Sequence, residues 1–220
     1  MINFFKQLLD FLYEKKCYIC KKNSKDFFVC HNCYEKLIEE ELNKSWNIEI
    51  KNTVPFYYSG YYANNLQKLI RGIKYHNQKE LAIPLANFMY EYWSRFDNQN
   101  SNFVIIPVPL HKNRYKKRGY NHMELIGEEL SKLTGYPICT DLIERVKDTK
   151  PQYGLKFYER MENMKNAFAI NSQNYSGEKL LLIDDILTTG STMKEIIDTL
   201  KQHKIEDVTI FSLTSHLSRK

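Results

Sequence analysis

The segment that most narrows the fold is Lys179-Leu-Leu-Leu-Ile-Asp-Asp-Ile-Leu-Thr-Thr-Gly-Ser-Thr192. Residues 180–183 are apolar without alternation, the pattern of a strand buried on both faces. Such a strand needs helices packed on each side of its sheet. Two carboxylates, Asp184 and Asp185, are expected where the strand ends, and the turn Thr188-Thr189-Gly190-Ser191-Thr192 then opens a helix. In open α/β sheets, ligands bind beyond the carboxyl ends of the strands. Hydroxyls and free backbone N–H groups at a helix N-terminus suit an anion, and Gly190 allows close approach of the backbone. The spaced glycines and Gly-Lys pair of a Walker loop are absent. Two acids beside an anion site repel the anion unless something lies between, and ribose hydroxyls donating to Asp184 and Asp185 would fill that place. A bound Mg²⁺ would relieve the repulsion further. The simpler alternative is an Asp-Asp turn capped by threonine and serine hydroxyls.

The rest of the chain alternates strand and helix patterns. Residues 53–62 read as strands about a Ser59-Gly60 turn. Leu66, Leu69, Ile70 and Ile73 mark a helix, and 79–93 another with a kink or boundary at Pro84. Residues 103–108 read as a buried strand, 121–133 as a helix that Asn121 would cap, 137–146 as holding a strand, and 151–165 as a helix. A short strand over 167–170, a strand over 179–184, a helix over 190–203 and a strand over 207–213 complete the series. This order predicts a doubly wound, mostly parallel α/β sheet over residues 51–220.

Residues 1–50 have a different character. Cys17-Tyr-Ile-Cys20 and Cys30-His-Asn-Cys33 are paired knuckles, and two-residue gaps let both thiolates of a knuckle reach one ion. Four soft ligands, Cys17, Cys20, Cys30 and Cys33, suit a closed, structural zinc site. Four buried cysteines, or a redox pair, are the competing readings. Apolar residues at 4, 5, 8, 9 and 12 suggest a leading helix, and 34–43 a second. So short a segment needs the metal to hold it together. Cys139 stands alone and reads as a small buried apolar residue.

With 43% hydrophobic and 26% charged residues, the composition excludes disordered and fibrous classes. No apolar run approaches bilayer length, so no membrane insertion is expected, and with no leader pattern a cytoplasmic address is the expectation. The net charge is +6, which favours polyanion partners without requiring them. The stretch 111–120 gathers Arg114, Lys116, Lys117 and Arg118 with Tyr115 and Tyr120. It reads either as a nucleic-acid contact, with the tyrosines stacking on bases, or as a solvated basic loop.

LLLIDDILTTGSTMKEI resembles the phosphoribosyl-pyrophosphate (PRPP) motif of type I phosphoribosyltransferases. In order along the chain, the two Cys knuckles, LIRGIKYHNQKELA, IIPVPLHKNRYKKRGYNHMELIGEEL, RVKDTKPQYGLKFYERMENMKNAF and the PRPP motif together resemble the ComF family of competence proteins. That resemblance implies a four-Cys zinc module followed by a phosphoribosyltransferase-like domain. It implies that Thr188, Thr189, Gly190, Ser191 and Thr192 cradle the 5-phosphate of PRPP and that Asp184 and Asp185, the catalytic pair, hold the ribose hydroxyls with Mg²⁺. It also implies that the loop bearing Val108 and Leu110 meets the pyrophosphate. Lys74 and His76 would reach the same cleft, and Arg145, Lys150, Gln152 and Arg160 would face either ligand or solvent. The implied role is the handling of incoming single-stranded DNA in natural transformation, alongside other DNA-uptake proteins. An active phosphoribosyltransferase for a nucleobase or other small acceptor, and a zinc-ribbon nucleic-acid binder with a vestigial phosphate loop, are the alternatives. Whether the chain is an enzyme stays open on the sequence.

Overall fold

The computed structural model describes residues 16–24, 28–41, 54–95, 102–150 and 156–215. The expected leading helix and the connector over 45–50 lie outside them. In chain order the elements are α1 (His31–Glu41), β1 (Phe56–Tyr61), α2 (Asn64–Tyr75), a 3₁₀ turn (Lys79–Leu81), α3 (Ala82–Trp93), β2 (Phe103–Pro107), α4 (Lys112–Arg118), α5 (His122–Thr134), β3 (Ile143–Arg145), α6 (Phe157–Met164), β4 (Phe168–Ile170), β5 (Lys179–Leu187), α7 (Ser191–Gln202) and β6 (Val208–Ser215).

Four strands form a parallel sheet in the order β1-β6-β5-β2. Ile138 makes one more parallel bridge to Ile105 at the outer edge of β2. The unbroken apolar run of β5 serves both faces. Leu181 and Ile183 pack with Leu66, Leu85, Phe88 and Ile126 of α2, α3 and α5. Leu180 and Leu182 pack with Met193, Ile196 and Leu200 of α7. Burial of each such side chain contributes about 1.5–3 kcal/mol. Trp93 closes one end of the first core, its ring 5.1 Å from Phe211 and 5.6 Å from Phe103. The sheet is therefore parallel and covered on both sides, as the sequence pattern predicts. Among the described residues no helix is long and apolar enough to cross a membrane.

Several details refine the sequence reading. Ser59-Gly60 does not turn: it continues β1, with Gly60 opposite Thr214. Pairing with β6 keeps extended a dipeptide that in isolation favours a turn. The boundary expected at Pro84 falls two residues ahead of it, where the 3₁₀ turn gives way to α3 at Ala82; Pro84 itself lies in the first turn of α3, where its missing N–H has no helical partner to lose. The basic stretch is a helix, α4, rather than a loop. Lys116, Lys117 and Arg118 occupy its last turn, and Gly119 caps it at φ 84°, an arrangement that complements the helix dipole and tolerates the left-handed conformation. β5 runs on to Leu187, so the acid pair lies within the strand. The expected strand near 143 pairs antiparallel with β4 in a small separate sheet.

Candidate functional site

A cavity of about 640 Å³ opens at the carboxyl ends of β5 and β2. Asp184 and Asp185 stand on its floor, and Thr188, Thr189 and Thr192 line one wall. Gly190 takes φ 73°, a conformation that disfavours a side chain, and so swings the chain from strand into α7. Thr189 donates its hydroxyl to Ser191 Oγ at 3.1 Å. Ser191 is buried, and neither it nor Gly190 lines the cavity; they shape the turn.

Five cations from four separate stretches meet here: Lys74, Arg114, Arg118, Arg145 and Arg160. Two acids face them. Lys74, at the end of α2, lies with its Nζ 2.7 Å from Asp185 Oδ2. His122, the first residue of α5, lies with its Nε2 2.5 Å from the same oxygen, and Arg118 sits 2.6 Å from His122 Nδ1. Because a guanidinium only donates, Nδ1 must accept and the ring proton must reside on Nε2, which then donates to Asp185. Burial holds the His122 pKa below its ordinary value, more than offsetting the pull of Asp185, which agrees with this neutral tautomer. Burial works against ionised Asp185, yet Lys74 and His122 overcome it and hold its pKa below the usual carboxylate range. Burial likewise disfavours the Lys74 ammonium, and Asp185 reverses that and raises its pKa.

Asp184 behaves oppositely. Loss of hydration and the charge of Asp185 push its pKa up to about 7, against the help of the Asp185 N–H, Lys74 and Arg145. One acid is thus fixed as an anion, while its neighbour changes charge near neutrality. An incoming hydroxyl or cation would meet an acceptor whose charge is adjustable. Arg145 is buried, and its pKa is lowered to about 10 by burial and by Arg114. It donates to Thr149 Oγ1, but its Nε has no hydrogen-bond partner among the described residues.

The remaining sequence candidates divide. Val108 and Leu110 line the cavity, but the Val108 N–H is already donated to Ile183 O at 3.0 Å. Lys116 and Lys117 are exposed on α4, away from the cavity lining. Tyr120 is no stacking surface: it is buried, and its hydroxyl donates to Ile73 O at 2.6 Å. Asn121 caps α5 by accepting from Met123 N. His76 does not line the cleft; its Nδ1 lies 2.8 Å from the hydroxyl of Tyr18. Lys150 is clamped through its backbone to the Asn163 side chain. Gln152 lies outside the described residues. Cys139, expected to be buried, is half-buried and directs its thiol to Asp141. His122 and Tyr75 were not picked out by sequence reasoning, because nothing in spacing shows that the ends of α2 and α5 face β5.

The four knuckle cysteines gather as expected. Cys17, Cys20, Cys30 and Cys33 hold their sulfur atoms within 4.8 Å of one another, and all are free thiols. Four sulfurs at about 2.3 Å around a tetrahedral zinc stand about 3.8 Å apart; Cys20 Sγ and Cys30 Sγ are 3.8 Å apart. At Cys17, burial opposes the thiolate, but backbone N–H groups of Cys20, Cys30 and Ile19 outweigh it and draw the pKa down to about 6. Burial and the neighbouring sulfurs push Cys33 up to about 12. The donor set therefore fits a soft metal such as zinc, whose binding would release protons. His31 is exposed and outside the cluster. The knuckle sits directly on α2: the Tyr18 ring lies against Gly72, and Lys68 donates to Ile19 O at 2.7 Å.

A family described as phosphoribosyl transferase domain matches residues 139–220. Competence protein F of Haemophilus influenzae is 31% identical over 212 residues, covering 90% of this chain and 89% of that one. The DNA utilization protein YhgH of Escherichia coli O157:H7 is 30% identical over 155 residues, 69% of this chain and 68% of that one. Competence protein ComFC of Bacillus subtilis is 24% identical over 192 residues, 82% and 75% of the two chains.

Proposed function

Since the chain belongs to the competence protein F family, we propose that it binds PRPP or a related ribose phosphate with Mg²⁺ and handles incoming single-stranded DNA during natural transformation. The observation that carries this reading is the convergence of five cations, an acid pair and a hydroxyl turn on one cavity. In this reading the turn 188–192 takes the 5-phosphate, and the acid pair takes the ribose hydroxyls. Arg114, Arg118, Arg145 and Arg160 neutralise the pyrophosphate. Asp184 is the protein oxygen best suited to a hard cation such as Mg²⁺, because a cation would relieve the crowding that raises its pKa. Mg²⁺ would supply charge neutralisation for the diphosphate. The exposed Lys116 and Lys117 on α4 then serve the DNA backbone, and zinc in the four-Cys cluster serves structure. The division into a metal module over 1–50 and a ligand domain over 51–220, and a cytoplasmic address where thiols stay reduced, belong to the same proposal.

Calorimetric titration with PRPP and Mg²⁺ tests the site. Wild type should bind, and the double variant Asp184→Asn, Asp185→Asn should not; equal affinities would remove the assignment. A pyrophosphate-release assay with nucleobases or single-stranded DNA separates binding from transfer. Release that depends on one nucleobase would favour a transferase acting on a small acceptor.

A further inference from the structure

Building on that sugar-phosphate reading, we propose that Tyr18 is a positioning residue that couples the four-Cys cluster to Lys74. Metal held by the cysteines then strengthens ribose-phosphate binding, and bound ribose phosphate strengthens the hold on the metal. The coupling starts where the first knuckle meets the rest of the chain. Only Tyr18 and Ile19 separate Cys17 from Cys20, and both are docked on α2. Lys68 donates to Ile19 O at 2.7 Å, the Tyr18 ring lies against Gly72, and the Tyr18 hydroxyl lies 2.8 Å from His76 Nδ1. Lys68, Gly72 and His76 follow at four-residue steps, so they form one stripe along α2 and its C-cap. The docked dipeptide is therefore the one enclosed between two ligands. Its backbone is tied to the cluster as well: Tyr18 N donates to Phe28 O at 2.6 Å, and Cys30 N to Cys17 Sγ at 3.3 Å. An ion joining the sulfurs closes a short ring through Tyr18 and Ile19, which restricts both.

The last turn of α2 carries this restriction to the cavity. Gly72 is buried, and its lack of a side chain is what lets the ring meet the helix backbone; a Cβ there would stand 2.8 Å from Tyr18 Cζ. Two residues on, Lys74 leaves the helix about 200° further round, away from the knuckle, with its Nζ 2.7 Å from Asp185 Oδ2. Between them, Ile73 O accepts from the Tyr120 hydroxyl at 2.6 Å. The turn is thus gripped from two sides, by Tyr18 and by Tyr120. Without the Tyr18 ring it has room to retreat toward the knuckle and draw Lys74 from Asp185. Linkage makes the effect mutual, so each site gains affinity when the other is filled.

The test uses the full-length, zinc-loaded protein as wild type, Tyr18→Phe and Tyr18→Ala, each checked for zinc content. Labelling with acetic anhydride, without ligand and read by mass spectrometry, compares Lys74 with the exposed Lys116. Coupling between sites usually spans about 5- to 150-fold. Relative to Lys116, Lys74 should label at least about fivefold faster in Tyr18→Ala than in wild type. Tyr18→Phe keeps the ring and should label as wild type does. Ribose 5-phosphate with Mg²⁺ should raise the zinc affinity of wild type, measured by competition with a chelator, at least about fivefold, and Tyr18→Ala should lose that gain. A knuckle that serves stability alone would lower the melting temperature of Tyr18→Ala and leave the Lys74-to-Lys116 ratio unchanged, and that result overturns the proposal. So does a zinc affinity indifferent to ribose 5-phosphate that calorimetry shows to be bound. Should Tyr18→Ala fail to hold zinc, the wild-type zinc competition decides alone. If ribose 5-phosphate does not bind wild type at all, the sugar-phosphate reading fails and the mutual effect with it, while the labelling still decides whether Tyr18 positions Lys74.

Discussion

Asp184 and Asp185 are adjacent and chemically identical, yet their asparagine variants should differ sharply in stability. Asp185→Asn removes the anion that holds Lys74 Nζ at 2.7 Å and His122 Nε2 at 2.5 Å. The Lys74 and Asp185 side chains are only 16% and 9% exposed, so a buried cation is left without its partner. Breaking such a pair from one side costs about 3–5 kcal/mol. For a chain of this size that corresponds to a melting temperature lower by roughly 6–20 °C. Asp184 is different, because its pKa of about 7 leaves it largely protonated in mildly acidic solution, where asparagine is a close mimic. A raised carboxyl pKa means that the folded state binds its proton more tightly than the unfolded state. Wild-type stability from this group is therefore greatest at low pH and falls between pH 4 and 7. Asp184→Asn should gain on wild type across that window. The lowered pKa of Asp185 puts its contribution fully in place above pH 4, so the Asp185→Asn deficit should arise there and persist to pH 7. Thermal melts followed by circular dichroism at pH 5, 6 and 7 would measure both. Equal stabilities of the two variants at pH 5 would refute the division of charge between the acids.

Other perturbations address the remaining parts. Elemental analysis should find one zinc per chain, and Cys33→Ser should lose the metal and lower the melting temperature; a metal-free, equally stable protein would contradict the cluster. Gly72→Ala places a Cβ 2.5 Å from Leu81 Cδ1 and 2.8 Å from Tyr18 Cζ. Overpacking of this kind costs about 1–3 kcal/mol, and metal release to a colorimetric chelator should accelerate. Single-stranded DNA affinity should fall with salt by a log–log slope of about −0.7 per phosphate contacted. Lys116→Glu with Lys117→Glu should flatten that slope while leaving PRPP affinity unchanged, and Arg160→Ala should weaken PRPP binding.

The parallel sheet was legible because burial of a strand on both faces forces the unbroken apolar run at 180–183, and no polar residue can hide within it. The Cys cluster was legible because ligand spacing within each knuckle is local. What escaped was contact between distant segments. Tyr120 looks like a surface residue beside four cations, and only the approach of its segment to the distant α2, where its hydroxyl meets Ile73 O, buries it. Tyr75 carries no local signal either, since the Arg118 guanidinium that comes within 6.0 Å of its ring lies 43 positions later. The contrast between the acids was equally hidden. Identical residues in sequence acquire opposite charge behaviour once Lys74 and His122 both select the same carboxylate.

Cys17, Val29, Cys33 and Leu37 belong to the same buried cluster as Leu66, Leu69 and Ile70 of α2, and Tyr18 grips that helix near the residue that restrains Asp185. A cut at residue 50 would accordingly free neither piece. It would strip sulfur and aromatic cover from the apolar face of α2, which carries Leu66, Leu69 and Ile70, and the truncated product would be prone to clump. Swapping the knuckle for that of another protein would demand a redesigned α2, so the two units must change in step.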